Sequence, residues 1–350
     1  MKRFDYSFLK TGLLPAQMIS TVISIGVLRE KQQERKEKYQ TIFTKLESIA
    51  KLQSVKESNA IEGIYTTDSR IEAIVNQNSA PLNHNEIEIA GYRDALSLVH
   101  ENHNAMQINE NEIKNIHRIM EAGNIDVTGG EYKVDDNAVV ATDSFGNRTI
   151  RFSPVAASET PFAMEQLMLA YIEARNDYAV NQLFLIPCFI LDFLCIHPFS
   201  DGNGRVSRLL SLLLLYKNGF DAGKYISFEE QINKYKNQYY SALYESSQGW
   251  HDNKNEYYPF MQNFIFTLYL CYQELDKRFA VIGDKKLSKK NRVEAAILNS
   301  ILPISKKEIQ FILPDISINT IEKALLELQS KNIIKKIGNF KDAKYGKVYR

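Results

Sequence analysis

The chain has 350 residues, 44% apolar and 24% charged, a composition that suits a large buried core and excludes a disordered chain. Net charge is +1, but residues 284–350 hold 15 Lys/Arg against 7 Asp/Glu, leaving 28 against 35 before them. An acidic body carrying a basic appendix follows.

Three cysteines, Cys188, Cys195 and Cys271, lie in apolar segments without a C-x-x-C pair, so buried thiols in a reducing compartment are expected. The apolar patch from Met18 to Leu28 is interrupted by Ser20, Thr21 and Ser24. It falls short of the roughly 20 residues of a spanning helix. No signal peptide is evident, so a cytoplasmic protein without membrane contact is expected.

Residues 1–30 read as irregular and then helical, with Pro15 in a first turn. The charged stretch Glu30 to Lys38 reads as an exposed helix or linker. A helix follows from about Thr41 to Glu62, with Ile42, Leu46, Ile49, Leu52 and Ile61 at three-to-four spacing and Gly63 as a left-handed cap. Tyr65 to Asn85 reads as loop. Helices are expected again at 86–100 and, from a cap at Asn109, at 110–120.

From 123 to 155 the pattern changes. Val139 and Val140, turn chemistry at Asp143 to Asn147, and alternation from Arg148 to Phe152 predict a β-hairpin within about 133–152. Helices are then expected at 160–176, 181–196, 204–218, 228–246 and 256–280. Gly219 to Tyr225 only superficially resembles a phosphate-binding loop. His100, His103 and His117 lack matching metal-ligand spacing and read as exposed helix residues.

Asp284 to Lys290 reads as a charged linker. Beyond it, helices at 292–302, 305–312 (capping box Ser305 with Glu308) and from 317 or 319 to 330, with strands at 333–337 and 345–349, predict a winged helix-turn-helix. Lys335, Lys336, Lys341, Lys344 and Lys347 would face phosphates if this unit bound DNA. The third helix carries only Lys323 as a base, so protein docking or dimerisation is the competing reading.

The densest chemistry lies at His197-Pro198-Phe199-Ser200-Asp201-Gly202-Asn203-Gly204-Arg205-Val206-Ser207-Arg208, between two apolar runs. Gly202 and Gly204 allow successive amides to point into one concavity, and the helix starting near Gly204 adds its free amides and positive end. Arg205 and Arg208 share neighbouring helical positions. Asp201 beside phosphates is a natural magnesium ligand. His197 suits a general base. The expected reaction is attack of an outside hydroxyl on a bound phosphate.

This stretch resembles the Fic family signature, H-P-F-x-(D/E)-G-N-G-R-x-x-R, without departure, and the resemblance covers roughly residues 40–280. It implies a mainly α fold: a Fic helical core at 86–283 with a flap hairpin, preceded by a helical region at 1–85 and followed by the winged-helix domain at 291–350. It also implies a protein adenylyltransferase that moves AMP from ATP, with Mg2+, to a Ser, Thr or Tyr hydroxyl of a target docked on the flap, or of the protein itself. By resemblance His197 deprotonates the hydroxyl and Asp201 holds magnesium. Gly202, Asn203 and Gly204 cradle phosphates, Arg205 steadies them, Arg208 reaches the γ-phosphate, and Tyr240 contacts adenine.

Ser58-Asn59-Ala60-Ile61-Glu62-Gly63 matches the family's inhibitory pattern (S/T)-x-x-x-E-(G/N). Ser58 and Glu62 are one turn apart, and a carboxylate delivered to Arg208 would occupy the γ-phosphate's place. Relatives called Doc transfer phosphate and carry lysine where this chain has Gly204, which argues against a kinase. Transfer of UMP or phosphocholine, removal of AMP through a water oriented by Glu62, homodimer formation, and a DNA-binding regulator with the core as sensor stay open at this point.

Overall fold

The computed structural model describes residues 2–142, 148–283, 288–298, 300, 303–313, 315–338 and 343–348. The expected hairpin turn at 143–147, the start of the charged linker, Lys341 and Tyr349 lie outside the described residues. The chain divides into two compact units, Met1–Tyr272 and Gln273–Arg350.

The first unit opens with α1 (Phe8–Thr11) and α2 (Ala16–Lys38). Pro15 stands at the N-cap of α2 rather than inside its first turn. The charged stretch continues α2 and is not uniformly exposed: Gln32 is buried, and its Nε2 donates to Asp221 Oδ1 at 3.0 Å. α3 (Gln40–Ile61) ends as expected, with Gly63 at φ 83°. Ile64 N–H donates to Asn59 O at 3.0 Å and Gly63 N–H to Ala60 O at 3.2 Å, the paired bonds of a Schellman cap.

α4 (Asp68–Gln77) corrects the loop expected from Tyr65 to Asn85. Thr67 accepts from Arg70 N–H at its start, Asn78 ends it in the left-handed region at φ 52°, and only Ile71 and Ile74 are buried. Two buried residues three apart, in a segment otherwise mostly polar, give too little periodicity to announce a helix. α5 (His84–Asn102) and α6 (Glu110–Met120) each start on an asparagine cap, Asn83 and Asn109.

β1 (Val139–Thr142) and β2 (Arg148–Phe152) form the expected antiparallel hairpin, with Val139 opposite Phe152. Then come α7 (Thr160–Arg175), α8 (Gln182–Ile196), α9 (Asn203–Lys217), α10 (Phe228–Lys234), α11 (Lys236–Ser247) and α12 (Tyr258–Gly283). The single helix expected at 228–246 is thus two, broken at Tyr235 with φ −115° and ψ 33°. Every residue of α8 from Leu183 to Ile196 is buried, which makes it the central helix. α7 and α9 pack against it, and α5 packs on α3, α6 and α9. The three cysteines are buried, as expected. Among the described residues no helix is long and apolar enough to cross a membrane.

The second unit follows the order α13 (Lys289–Leu298), β3 (Ile304–Ser305), α14 (Lys306–Ile312), α15 (Ile318–Ser330), β4 (Ile334–Ile337) and β5 (Lys344–Lys347). α13 is described to Leu298, and residues 299, 301 and 302 of the expected helix lie outside the described residues. The strands pair antiparallel as β3-β5-β4, so β3 adds a third strand to the expected two-stranded wing. The capping box forms: Ser305 Oγ accepts from Glu308 N–H, and Glu308 Oε2 accepts from Ser305 N–H at 2.6 Å. Val293, Ile297, Ile309, Ile321, Leu325, Leu328 and Tyr345 make the core. Lys335, Lys336 and Lys344 are exposed and Lys347 is half-buried.

Candidate active site

The apolar run of α8 ends at His197, which takes a left-handed backbone at φ 54° and caps the helix through its N–H to Phe193 O at 2.9 Å. This reverses the chain toward α9. The ring's Nδ1 donates to Leu194 O at 3.3 Å, which assigns the proton to Nδ1 and leaves the Nε2 lone pair available. Burial pulls the His197 pKa down to about 4, with nearby Lys133 in the same sense and the Leu194 bond, Glu62 and Asp201 opposing. The imidazole is therefore neutral at neutral pH, as a base must be.

The turn after His197 is held from behind. Phe199 is fully buried and stacks on His117, ring centroids 3.8 Å apart. Asn203 uses its whole side chain inside the turn: Phe199 N–H donates to Oδ1 at 2.9 Å, and Nδ2 donates to Phe199 O at 2.8 Å. Its amide group is therefore committed to the backbone. His117 accepts from Gly130 N–H on Nδ1 at 2.9 Å and meets Asp201 O through Nε2 at 3.2 Å. Burial brings its pKa down to about 4.

His117 and His100 correct the expectation of exposed helix histidines, since both are buried. α5 and α6 pack on neighbouring helices, and His100 Nε2 pairs with Tyr216 OH at 3.2 Å. Lone histidines in a polar helical pattern gave no signal of this.

Gly202 caps α9 at φ 76°, and a Cβ there would stand 2.6 Å from Met120 Cε and 2.7 Å from Glu121 Oε1. The first helical bond runs from Val206 N–H to Gly202 O at 2.9 Å, so the amides of Asn203, Gly204 and Arg205 precede the ladder. The Asp201 side chain is 67% exposed beside them, with Oδ1 accepting from Gly202 N–H at 2.6 Å.

Both arginines are buried. Arg205 lies between two acids, Nη1 2.7 Å from Glu88 Oε2 and Nη2 3.2 Å from Glu121 Oε1, and 4.0 Å from Asp201 Oδ2. Its Nε has no hydrogen-bond partner among the described residues. Burial raises the Glu121 pKa, with Arg205 opposing.

Arg208 is bound by the end of α3. Its Nε donates to Ser58 Oγ at 2.8 Å, and Nη2 donates to Ser58 O at 2.9 Å and Glu62 Oε1 at 2.8 Å. Burial works against its charge, but Glu62 and the neighbouring Tyr92, Tyr239 and Tyr240 hold its pKa above the ordinary value. Glu62 reaches this position because Gly204 has no side chain; a Cβ there would collide with Glu62 Oε1.

These groups border one cavity of about 810 Å³. Its floor is the 197–208 turn, one wall is Glu62, another is Val139, Val140, Arg151 and Phe152 of the hairpin, and a third is α11 with Tyr239, Tyr240 and Tyr244. Burial pushes Tyr239 up to about 12 and raises Tyr240 as well. The structure thus gathers Glu62, His197, Asp201, Gly202, Asn203, Gly204, Arg205, Arg208 and Tyr240 around one space, with Ser58 behind Arg208. Free helix amides, buried guanidinium groups and one exposed carboxylate suit a polyphosphate with magnesium. Among the described residues no three His, Cys, Asp or Glu gather as a protein-only metal cage.

Residues 107–215 match the Fic/DOC family model. The chain carries a Fic/DOC family domain. A protein adenylyltransferase Fic of Nematostella vectensis is 28% identical over 212 residues, 57% of this chain and 44% of that protein. A Fido domain-containing protein of Dictyostelium discoideum is 37% identical over 65 residues, 17% of this chain and 46% of that protein. The matches span less than half the length of these curated relatives. Among solved structures, a Fic family protein from Desulfovibrio desulfuricans superposes with TM-score 0.63 at 18% identity, covering 97% of this chain and 98% of that one. A Fic domain containing signaling protein from Bacteroides thetaiotaomicron gives 0.62 at 21% identity over 73% and 96%. The Fic fold is thereby shown for this chain.

The site also contains residues that the sequence did not announce: Glu88, Glu121, His117, Lys133 and Asn137. Each comes from a segment far along the chain, and no local spacing connects them to 197–208.

Proposed function

We propose that this protein is an adenylyltransferase that moves AMP from ATP to a protein hydroxyl, and that its resting form is held inactive by Glu62. The observation that carries the reading is the Arg208–Glu62 pair in the same cavity as a neutral His197. The target oxygen attacks the α-phosphorus and the bond to the β-phosphate oxygen breaks. His197 Nε2 takes the hydroxyl proton, and pyrophosphate leaves. The amides at the start of α9 hold phosphate oxygens. Magnesium, held by Asp201 with those oxygens, would neutralise part of their charge.

A target segment adds to the hairpin by main-chain pairing, a mode that selects for extended backbone more than for side chains. Exposed Val140 and Ile150 give that hairpin an apolar face. With the γ-phosphate's partner Arg208 engaged by Glu62, ATP cannot seat its phosphates for in-line attack. Incubation with ATP labelled at the α-phosphorus tests the reaction. Label transfer should appear with Glu62→Gly and be abolished by adding His197→Ala; label that survives His197→Ala overturns the base.

A second reading concerns the basic unit. Lys335 and Lys344 fall on the same face of the β4–β5 pair and are exposed, an arrangement that suits phosphate contact. Duplex binding that weakens steeply with salt supports it, and a flat salt response rejects it.

A further inference from the structure

Four carbonyl groups around His197 accept hydrogen bonds, those of Leu194, Ile196, Pro198 and Phe199, and one short segment supplies donors to three of them. Leu194 O is taken by His197 Nδ1 itself. Ile196 O accepts from Lys133 Nζ at 3.3 Å, Pro198 O from Lys133 N–H at 2.9 Å, and Phe199 O from Asn137 Nδ2 at 3.0 Å. Lys133 Nζ also donates to Asn137 Oδ1 at 2.8 Å, which joins the two side chains into one unit. Lys133 is buried, and among the described residues no carboxylate bonds to it, an uncommon setting for a lysine.

The same segment is the base of the hairpin. Asn137 lies two residues before β1, and Asp136 Oδ1 accepts from Ala157 N–H at 2.7 Å, past the end of β2. Gly130 N–H binds His117, which in turn meets Asp201 O. The hairpin and the 197–201 turn are therefore registered by hydrogen bonds at both ends.

We propose that Lys133 and Asn137 are positioning residues: they tie the turn carrying His197 to the base of the hairpin, so that a target strand and the base acting on it keep a common register. This rests on the transfer reading above. The charged groups facing Lys133 are Asp136 and, when protonated, His197; those facing His197 are Lys133, Glu62 and Asp201. Burial brings the Lys133 pKa down to about 8, so it is still mostly a cation at neutral pH. It opposes protonation of His197 before the target hydroxyl arrives.

The test uses the full chain carrying Glu62→Gly, with Lys133→Met, Lys133→Arg or Asn137→Ala added. Self-labelling with α-phosphorus-labelled ATP gives the rate and the apparent KM for ATP. NMR titration of the His197 ring gives its protonation. Lys133→Met and Asn137→Ala should each slow labelling by about 10- to 100-fold at unchanged KM for ATP, the size expected of misplacement rather than lost binding. Lys133→Arg should retain more of the rate than Lys133→Met. The His197 titration should move upward in Lys133→Met, because a nearby cation has gone.

Unchanged labelling and an unmoved titration in Lys133→Met overturn the proposal. So does a slowed rate accompanied by a lower melting temperature and an unmoved titration, which is general loosening. If Glu62→Gly itself labels nothing, the transfer reading falls, and the titration of Lys133→Met alone decides whether the clamp sets His197.

Discussion

Glu62 Oε1 lies 2.8 Å from Arg208 Nη2 and 2.4 Å from where a Cβ on Gly204 would stand. One oxygen thus occupies the arginine and depends on the absence of a side chain at the start of α9. This geometry couples the end of α3 to the turn that carries His197.

A double-mutant cycle reads that coupling. Gly204→Ala alone should destabilise the protein by about 1–3 kcal/mol, because its Cβ collides with Glu62. In the Glu62→Gly background the penalty should disappear, and the better helix propensity of alanine should add up to about 1 kcal/mol. Urea unfolding of the four proteins measures it. Equal losses in both backgrounds would mean that the carboxylate is not where the structure puts it.

Ser58→Ala removes the acceptor for Arg208 Nε but leaves Ser58 O and Glu62 on Nη2. Inhibition should weaken partly. Label transfer should rise by roughly tenfold, the worth of one charge-assisted bond, and stay below that of Glu62→Gly. A rate equal to the parent's would show that Ser58 only packs.

Tyr240 borders the cavity from α11. If it faces the base of ATP, Tyr240→Ala in the Glu62→Gly background should raise KM for ATP by roughly 3- to 10-fold, with little change in kcat. A fall in kcat at constant KM would move Tyr240 from nucleotide binding to the reacting groups.

Acid should destabilise the fold before carboxylates dominate. Burial lowers His100 to about 3, and His117 and His197 to about 4, each below the ordinary 6.5. Below pH 6.5 the unfolded chain binds protons that the folded chain does not, so stability falls as pH drops from about 6.5 toward 4. The slope approaches about 1.4 kcal/mol per pH unit for each histidine. Melting curves at pH 7 and pH 5 should show the loss, and His117→Gln should reduce the pH dependence even if it also lowers the melting point.

The candidate site was readable in the sequence where local spacing and the family signature marked it. A polar dozen between apolar runs marked 197–208, and Gly63 marked the end of α3 as the left-handed cap it is. Fold class followed from the family resemblance together with the helical spacing, and the hairpin from alternation around turn residues.

What was not readable involves partners far apart in sequence. Arg205 was expected to steady phosphates, and nothing near it indicated Glu88 and Glu121 at its guanidinium. Asn203 was expected to cradle phosphates; its side chain closes the turn on Phe199, which leaves its backbone N–H for a ligand. Polar composition concealed α4, and continuous helical spacing concealed the break at Tyr235. His117 looked like one more polar helix residue, while in the fold it stacks on Phe199 and holds the Asp201 carbonyl.

The most direct test of autoinhibited AMP transfer is intact mass after incubation with magnesium and ATP, comparing the parent with Glu62→Gly. The parent should stay near its starting mass, and Glu62→Gly should gain whole AMP increments that vanish when His197→Ala is added. No gain with Glu62→Gly, or a gain matching phosphate instead of AMP, would contradict the account.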